Sequence, residues 1–172
     1  MRKEVWFTRR HDDKMLGFTR SREEREEGEG LYDIEELARV VVDCSFKLHV
    51  DLGPGLLESV YEALLAAKLQ ASGLRVDRQR PIPIEYEDLT MAEGFRADLM
   101  IEDMLIVEIK SVERLAPVHA KQLLTYLRLT KQPLGLLINF GSATFRDGVK
   151  RIVNGHTNFA SSRLRVHQNT PE

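Results

Sequence analysis

Between residues 33 and 155 the chain switches repeatedly between a helical and a strand-like spacing of its apolar side chains. Ile34, Leu37, Val41, Cys44 and Leu48 recur at three- and four-residue intervals, which predicts one apolar stripe on a helix from about Asp33 to about Val50. Asp33 is suited to cap it, and Gly53-Pro54-Gly55 breaks it. Leu57, Val60, Tyr61, Leu64 and Leu65 then predict one face of a second helix ending near Ser72-Gly73. On that wheel Glu58 lies on the flank and looks inward, whereas Glu62 lies further round, toward solvent. Three strands follow at about 74–87, 95–101 and 104–110, with Pro81 and Pro83 marking the first as an edge or irregular strand. A helix over 117–130 opens on Pro117 and sets His119, Gln122, Leu123, Tyr126 and Thr130 on one side, with Lys121 and Arg128 opposite. Leu134-Gly135-Leu136-Leu137-Ile138-Asn139-Phe140 reads as a strand buried on both faces, and a short helix over 147–153 closes the set. The order ααβββαβα predicts an α/β fold with helices on both sides of one sheet.

Two charges interrupt the strand Leu105-Ile106-Val107-Glu108-Ile109-Lys110. Strand side chains alternate faces, so Glu108 and Lys110 point one way while Leu105, Val107 and Ile109 point the other. Charges in such a run are costly unless they are paired, hydrogen-bonded or metal-bound. Asp98 and Glu108 are hard oxygen donors that suit a divalent metal, and Lys110 could address a water or a phosphate oxygen. A buried ion pair of Lys110 with Asp98 or Glu108 is the other reading. Turn geometry separates the two. A two-residue loop at Glu102-Asp103 would put the two carboxylates on opposite faces, whereas a three-residue loop, or a bulge near Asp98, sets Asp98 across from Glu108.

Further motifs accompany this strand in a fixed order. Gly55, Glu58 and Tyr61 stand at Gly-x-x-Glu-x-x-Tyr spacing, followed by Phe95-Arg96-Ala97-Asp98, Ile106-Val107-Glu108-Ile109-Lys110, Gln122-Leu123-Leu124-Thr125-Tyr126 and Leu136-Leu137-Ile138-Asn139-Phe140. With these the chain closely resembles the GxxExxY family of the PD-(D/E)xK nuclease-like superfamily, over roughly residues 33 to 155. Ala97 stands where the superfamily's motif has proline. The resemblance implies a restriction-endonuclease-like mixed β-sheet flanked by helices and a Mg²⁺- or Mn²⁺-dependent hydrolysis of nucleic-acid phosphodiesters. It implies metal ligation by Asp98, Glu108 and the main-chain carbonyl of Ile109, with Glu58 completing the shell directly or through water. Lys110 would orient or deprotonate the attacking water or stabilise the phosphate, and Gln122 and Tyr126 would position the scissile phosphate or the lysine. The implied partner is nucleic acid, DNA first, and the alternative is a catalytically silent nuclease fold serving as a binding or assembly module.

Composition narrows this only modestly. With 172 residues, 42% hydrophobic, the chain suits one domain with a continuous core. A net charge of −2 gives no global basic field for nucleic acid. Local groups remain: Arg75, Arg78 and Arg80; Lys121, Arg128 and Lys131; and Arg146, Lys150 and Arg151. A homodimer or a protein partner could help so acidic a domain hold its substrate. No apolar run approaches the ~18 residues of a membrane span, so the expected location is the cytoplasm, without membrane contact. Cys44, the single cysteine, reads as core, and Gly53-Pro54-Gly55 lacks the Lys-Ser/Thr of a phosphate-binding loop. His49 and His119 read as structural. Residues 1–32 carry eight basic and eight acidic side chains and few apolar ones, which predicts a mobile charged extension, and 156–172 reads as a polar tail.

Overall fold

A computed structural model of the chain describes residues 32–155. The expectations for segments 1–31 and 156–172 lie outside the described residues. Helix α1 (Ile34–Leu52) starts as its sequence predicts, with the Asp33 side chain accepting from the Glu35 amide at 3.3 Å. Ile34, Leu37, Val41, Cys44 and Leu48 of the stripe are all buried, joined by Ala38 and Ser45. Gly53, at φ 66°, ends it in a conformation that favours glycine.

Helix α2 (Glu58–Ala71) is turned on its axis relative to the expected face. Tyr61, Glu62, Leu65, Ala66 and Leu69 are buried, while Leu57, Val60 and Leu64 are exposed. Burial therefore follows the rows 61-65-69 and 62-66, and Glu62, expected in solvent, is only 4% exposed. The apolar count on the other side of the wheel was the misleading signal.

Strand β1 (Val76–Tyr86) pairs antiparallel with β2 (Leu89–Ile101), which begins six residues earlier than its apolar pattern suggests because Leu89–Gly94 extends the hairpin. The register of the pair shifts between Ile82 and Ile84, around Pro83, and β1 is an edge strand, as its prolines require. Strand β3 (Leu105–Lys110) pairs antiparallel with β2 and parallel with β4 (Leu134–Asn139). A parallel neighbour needs a crossover, and α3 (Pro117–Thr130) provides it. The closing segment corrects the expected helix over 147–153. Only Phe145–Gly148 is helical (α4), and Val149–Val153 is a fifth strand, β5, antiparallel to β4. Val149, Ile152 and Val153 fit one turn of helix as well as a strand, and the free edge of β4 decides between them.

The result is one mixed five-stranded sheet in the order β1-β2-β3-β4-β5, flanked by helices on both faces. One core packs α1 and α2 against Leu99, Leu105, Val107, Ile109 and Leu136. The other packs Leu123, Tyr126 and Leu127 of α3 against Ala97, Ile106 and Leu137. Gly135 permits that second contact, since a Cβ there would lie 3.0 Å from the Leu123 side chain and 3.2 Å from the Ile106 carbonyl oxygen. Among the described residues no helix is long and apolar enough to cross a membrane.

Candidate active site

The turn between β2 and β3 has the length that the carboxylate pair requires. Leu99 pairs with Val107, Met100 with Ile106 and Ile101 with Leu105, which leaves Glu102, Asp103 and Met104 as a three-residue loop. Glu102 and Asp103 take left-handed conformations at φ 51° and 56°. Continued by one step, this register sets Asp98 opposite Glu108. The ladder itself stops at Leu99–Val107, and Asp98 Oδ2 instead accepts the main-chain N–H of Ile109 at 2.8 Å. On its other side the β1–β2 ladder skips the step between Gln79 and Asp98, with Gln79 at φ 50°. Both strands change faces here: Val76 and Leu99 join the core under α1 and α2, whereas Ile82 and Ala97 join the one under α3. Such irregular steps re-aim side chains.

Glu108 is 2% exposed. Its Oε1 accepts from Lys110 Nζ at 2.6 Å, and its buried Oε2 has no hydrogen-bond partner among the described residues. Burial, and then the charge of Asp98, push the Glu108 carboxyl up to about 7 against the opposing pull of Lys110. Burial also raises Asp98, although the Ile109 amide and Gln79 favour its charged form. For Lys110 burial is the largest effect and pulls downward, but Glu108, Asp98 and Glu58 together hold the ammonium above its ordinary value.

Glu58 stands in the first turn of α2, exposed, and its Oε1 accepts from the Ser111 amide at 3.0 Å, one residue beyond Lys110. Ser111 Oγ in turn donates to the Leu56 carbonyl at 2.7 Å. Tyr61 fixes this loop from below: its hydroxyl donates to the Gly53 carbonyl at 2.5 Å and accepts from the Leu56 amide at 3.3 Å, and its ring stacks on Phe140 at 4.3 Å. Leu57, Glu58, Glu62, Gln79, Asp98 and Ser111 line a cleft of about 530 Å³.

Helix α3 places Gln122 and Tyr126 on the Glu108 side of the sheet. Gln122 Nε2 donates to the Tyr126 hydroxyl, so the two bond each other rather than the lysine. Tyr126 is 3% exposed, its ring centroid lies 4.7 Å from that of Phe95, and burial raises its phenol. His119 Nδ1 accepts from the Ala116 amide and His49 Nε2 bonds the Ser142 carbonyl, both structural roles.

The carboxylates do not converge into a closed cage. Among the described residues no three His, Cys, Asp or Glu side chains stand close enough together to hold a metal ion. Glu58 bonds a backbone amide, and Glu108 is ion-paired with Lys110. The donor chemistry nevertheless fits a hard divalent cation, which prefers carboxylate and carbonyl oxygens, and the unpartnered Glu108 Oε2 is such a donor.

Three residues not singled out as site residues also shape the site: Glu62, Gln79 and Ser111. Glu62 accepts from Arg78 Nε at 2.9 Å and from Gln79 Nε2 at 2.7 Å. The helical spacing alone does not mark it, because its partners come from β1. Of the basic groups, Arg75 and Arg80 meet Asp103, Arg78 meets Glu62 and Arg151 meets Glu35, while Lys121, Arg128 and Lys150 are exposed.

A family model described as the PD-(D/E)XK nuclease superfamily matches residues 35–152, which include every strand but the last residue of β5. No curated protein and no solved structure matches the chain.

Proposed function

We propose that this chain, which belongs to the PD-(D/E)XK nuclease superfamily, hydrolyses phosphodiester bonds of nucleic acid with Mg²⁺ or Mn²⁺ held at Asp98 and Glu108. The observation that carries the reading is Glu108: a carboxylate buried to 2% exposure, opposite Asp98, with one oxygen on Lys110 and the other without a partner among the described residues. An ion-paired core built for stability alone would satisfy both oxygens.

Asp98, Glu108 and the Ile109 carbonyl would hold the cation, with Glu58 reaching it directly or through water. When bound, the cation supplies Lewis acidity toward a phosphoryl oxygen and a more acidic water. The rest falls to the chain. Lys110 carries its proton firmly and is 15% exposed, which suits it to donate to a phosphoryl oxygen where negative charge grows. Gln122 and Tyr126, joined on α3, would steady the substrate phosphate beside it. The cleft between α2 and Gln79 admits the substrate backbone, and exposed Lys121, Arg128 and Lys150 would meet outer phosphates, with DNA the first substrate to test.

Calorimetric titration of Mn²⁺ and Mg²⁺ into the wild type and Asp98→Ala, followed by cleavage assays on single- and double-stranded DNA and RNA, tests the reading. Saturable binding lost in the variant, with metal-dependent cleavage, is the expected result. A folded wild type that binds no cation even with nucleic acid present would transfer the assignment to a silent binding or assembly module.

A further inference from the structure

The geometry points to Gln79 as a positioning residue for Asp98, held in that role by Glu62 and Arg78; the inference rests on the metal-dependent reading above. The Gln79 amide nitrogen donates to two carboxylates at once, at 2.7 Å to Glu62 Oε2 and at 3.2 Å to Asp98 Oδ1. A carboxamide can turn either its nitrogen or its oxygen toward a neighbour. The two carboxylates remove the choice. Each accepts only when charged, so Glu62 and Asp98 together draw the nitrogen into the gap and turn the amide oxygen away. Glu62 is itself 4% exposed, and Arg78 Nε, at 2.9 Å from Oε1, offsets its charge. Asp98 is therefore gripped on both oxygens, Oδ2 by the Ile109 amide and Oδ1 by Gln79, while each oxygen keeps a lone pair for a cation.

The backbone at Gln79 supports a role for its side chain. Its φ of 50° lies in the left-handed region, which glycine enters without penalty and a residue with a Cβ enters at a cost. The residue is exposed, so no packing requirement explains glutamine there. What glutamine adds over glycine is the amide between the two carboxylates. Partners that orient a metal's ligands typically contribute about 10- to 100-fold in metal affinity.

The test is calorimetric titration of Mn²⁺ into full-length wild type, Gln79→Gly, Gln79→Met and Asp98→Ala, with melting temperatures on the same samples. The expectation is that both Gln79 variants bind Mn²⁺ about 10- to 100-fold more weakly. Gln79→Gly relieves the left-handed backbone but takes a donor from the buried Glu62 carboxylate, so the titrations are run well below the lowest melting temperature, where every variant is folded and affinity reads separately from stability. Wild-type affinity in both Gln79 variants, with binding lost in Asp98→Ala, overturns the positioning role and leaves the metal site standing. A Gln79 variant whose weakened binding returns to wild-type affinity when the titration is moved further below its melting temperature also overturns it, because the residue is then structural. No Mn²⁺ binding by the wild type overturns the metal site and this inference with it.

Discussion

The carboxylate of Asp98 accepts the main-chain N–H of Ile109 at 2.8 Å, one step beyond the last pair of the β2–β3 ladder. A side chain thus satisfies a backbone donor in the middle of the sheet and is fixed beside Glu108 by the same bond. Removing it has two separable effects. Asp98→Ala should abolish Mn²⁺ binding and cleavage, and should also cost about 1–3 kcal/mol by orphaning the Ile109 amide. Asp98→Asn retains an acceptor for that amide, so most of the stability should return while binding and cleavage do not. Urea unfolding beside calorimetry checks the pair, and recovery of cleavage in Asp98→Asn would count against ligation by this residue.

Lys110 and Glu108 form a buried pair, with side chains 15% and 3% exposed. Truncating one partner leaves the other uncompensated, which typically costs about 3–5 kcal/mol. Lys110→Ala should therefore unfold more readily at pH 8 while remaining folded without denaturant, and should show no cleavage. Because Glu108 can take up a proton, the deficit should shrink at pH 5.5. A deficit of equal size at both pH values would show that Glu108 does not carry the missing charge.

The direction of the Glu108 shift gives a pH dependence of its own. Burial, then Asp98, raise its carboxyl from 4.5 to about 7, so the folded protein holds a proton that the unfolded chain has released. This group's contribution is fully present below about pH 4.5 and is lost as pH rises through about 7. The raised Asp98 acts with the same sign. Wild-type stability should fall between pH 4.5 and 8, and Glu108→Gln should flatten that fall. Chemical denaturation across the range provides the measurement, and a wild-type profile that rises through it would contradict the shift.

A cation bound to the charged carboxylates should oppose this loss. Ligands that bind only the folded state stabilise it by RT ln(1 + [L]/Kd), about 2.7 kcal/mol at one hundred times Kd. Saturating Mn²⁺ should thus raise the melting temperature at pH 8 and do little at pH 5, where Glu108 is protonated. An equal rise at both values, or one that persists in Asp98→Ala, would place the cation elsewhere.

Most of this architecture was legible in the sequence, for physical reasons that differ by element. The α1 stripe and the unbroken β4 run were clear because long, periodic segments have few alternatives. The Asp98–Glu108 juxtaposition was legible only conditionally, since it hinged on whether the β2–β3 loop has two or three residues, and the pairing of Ile101 with Leu105 settles it at three. Glu62 and β5 were misread because their environments are tertiary. A buried glutamate on α2 needs Arg78 and Gln79 from β1, and Val149–Val153 becomes a strand because β4 offers it an edge. Gln79 itself carries no sequence signal that distinguishes it from any polar residue of an edge strand.

Tyr61 offers a test of whether the loop before α2 belongs to the site. Its ring stacks on Phe140, and its hydroxyl joins the Gly53 carbonyl and the Leu56 amide, which sets the height of Glu58 above Ser111. Tyr61→Phe keeps the stack and deletes both hydroxyl bonds, leaving their partners in a part-buried loop at a cost of about 1–3 kcal/mol. Tyr61→Ala also empties a site with 0% exposure, which typically costs about 3–5 kcal/mol for a large aromatic. Since Asp98 and Glu108 touch neither bond, Tyr61→Phe should keep Mn²⁺ binding close to wild type and raise KM for a nucleic-acid substrate more than it lowers kcat. The reason is that the cleft wall, rather than the carboxylate pair, is loosened. If kcat collapsed and KM did not move, the loop would be acting on the reacting centre through Glu58, and the glutamate would belong with Asp98 and Glu108 as a direct ligand.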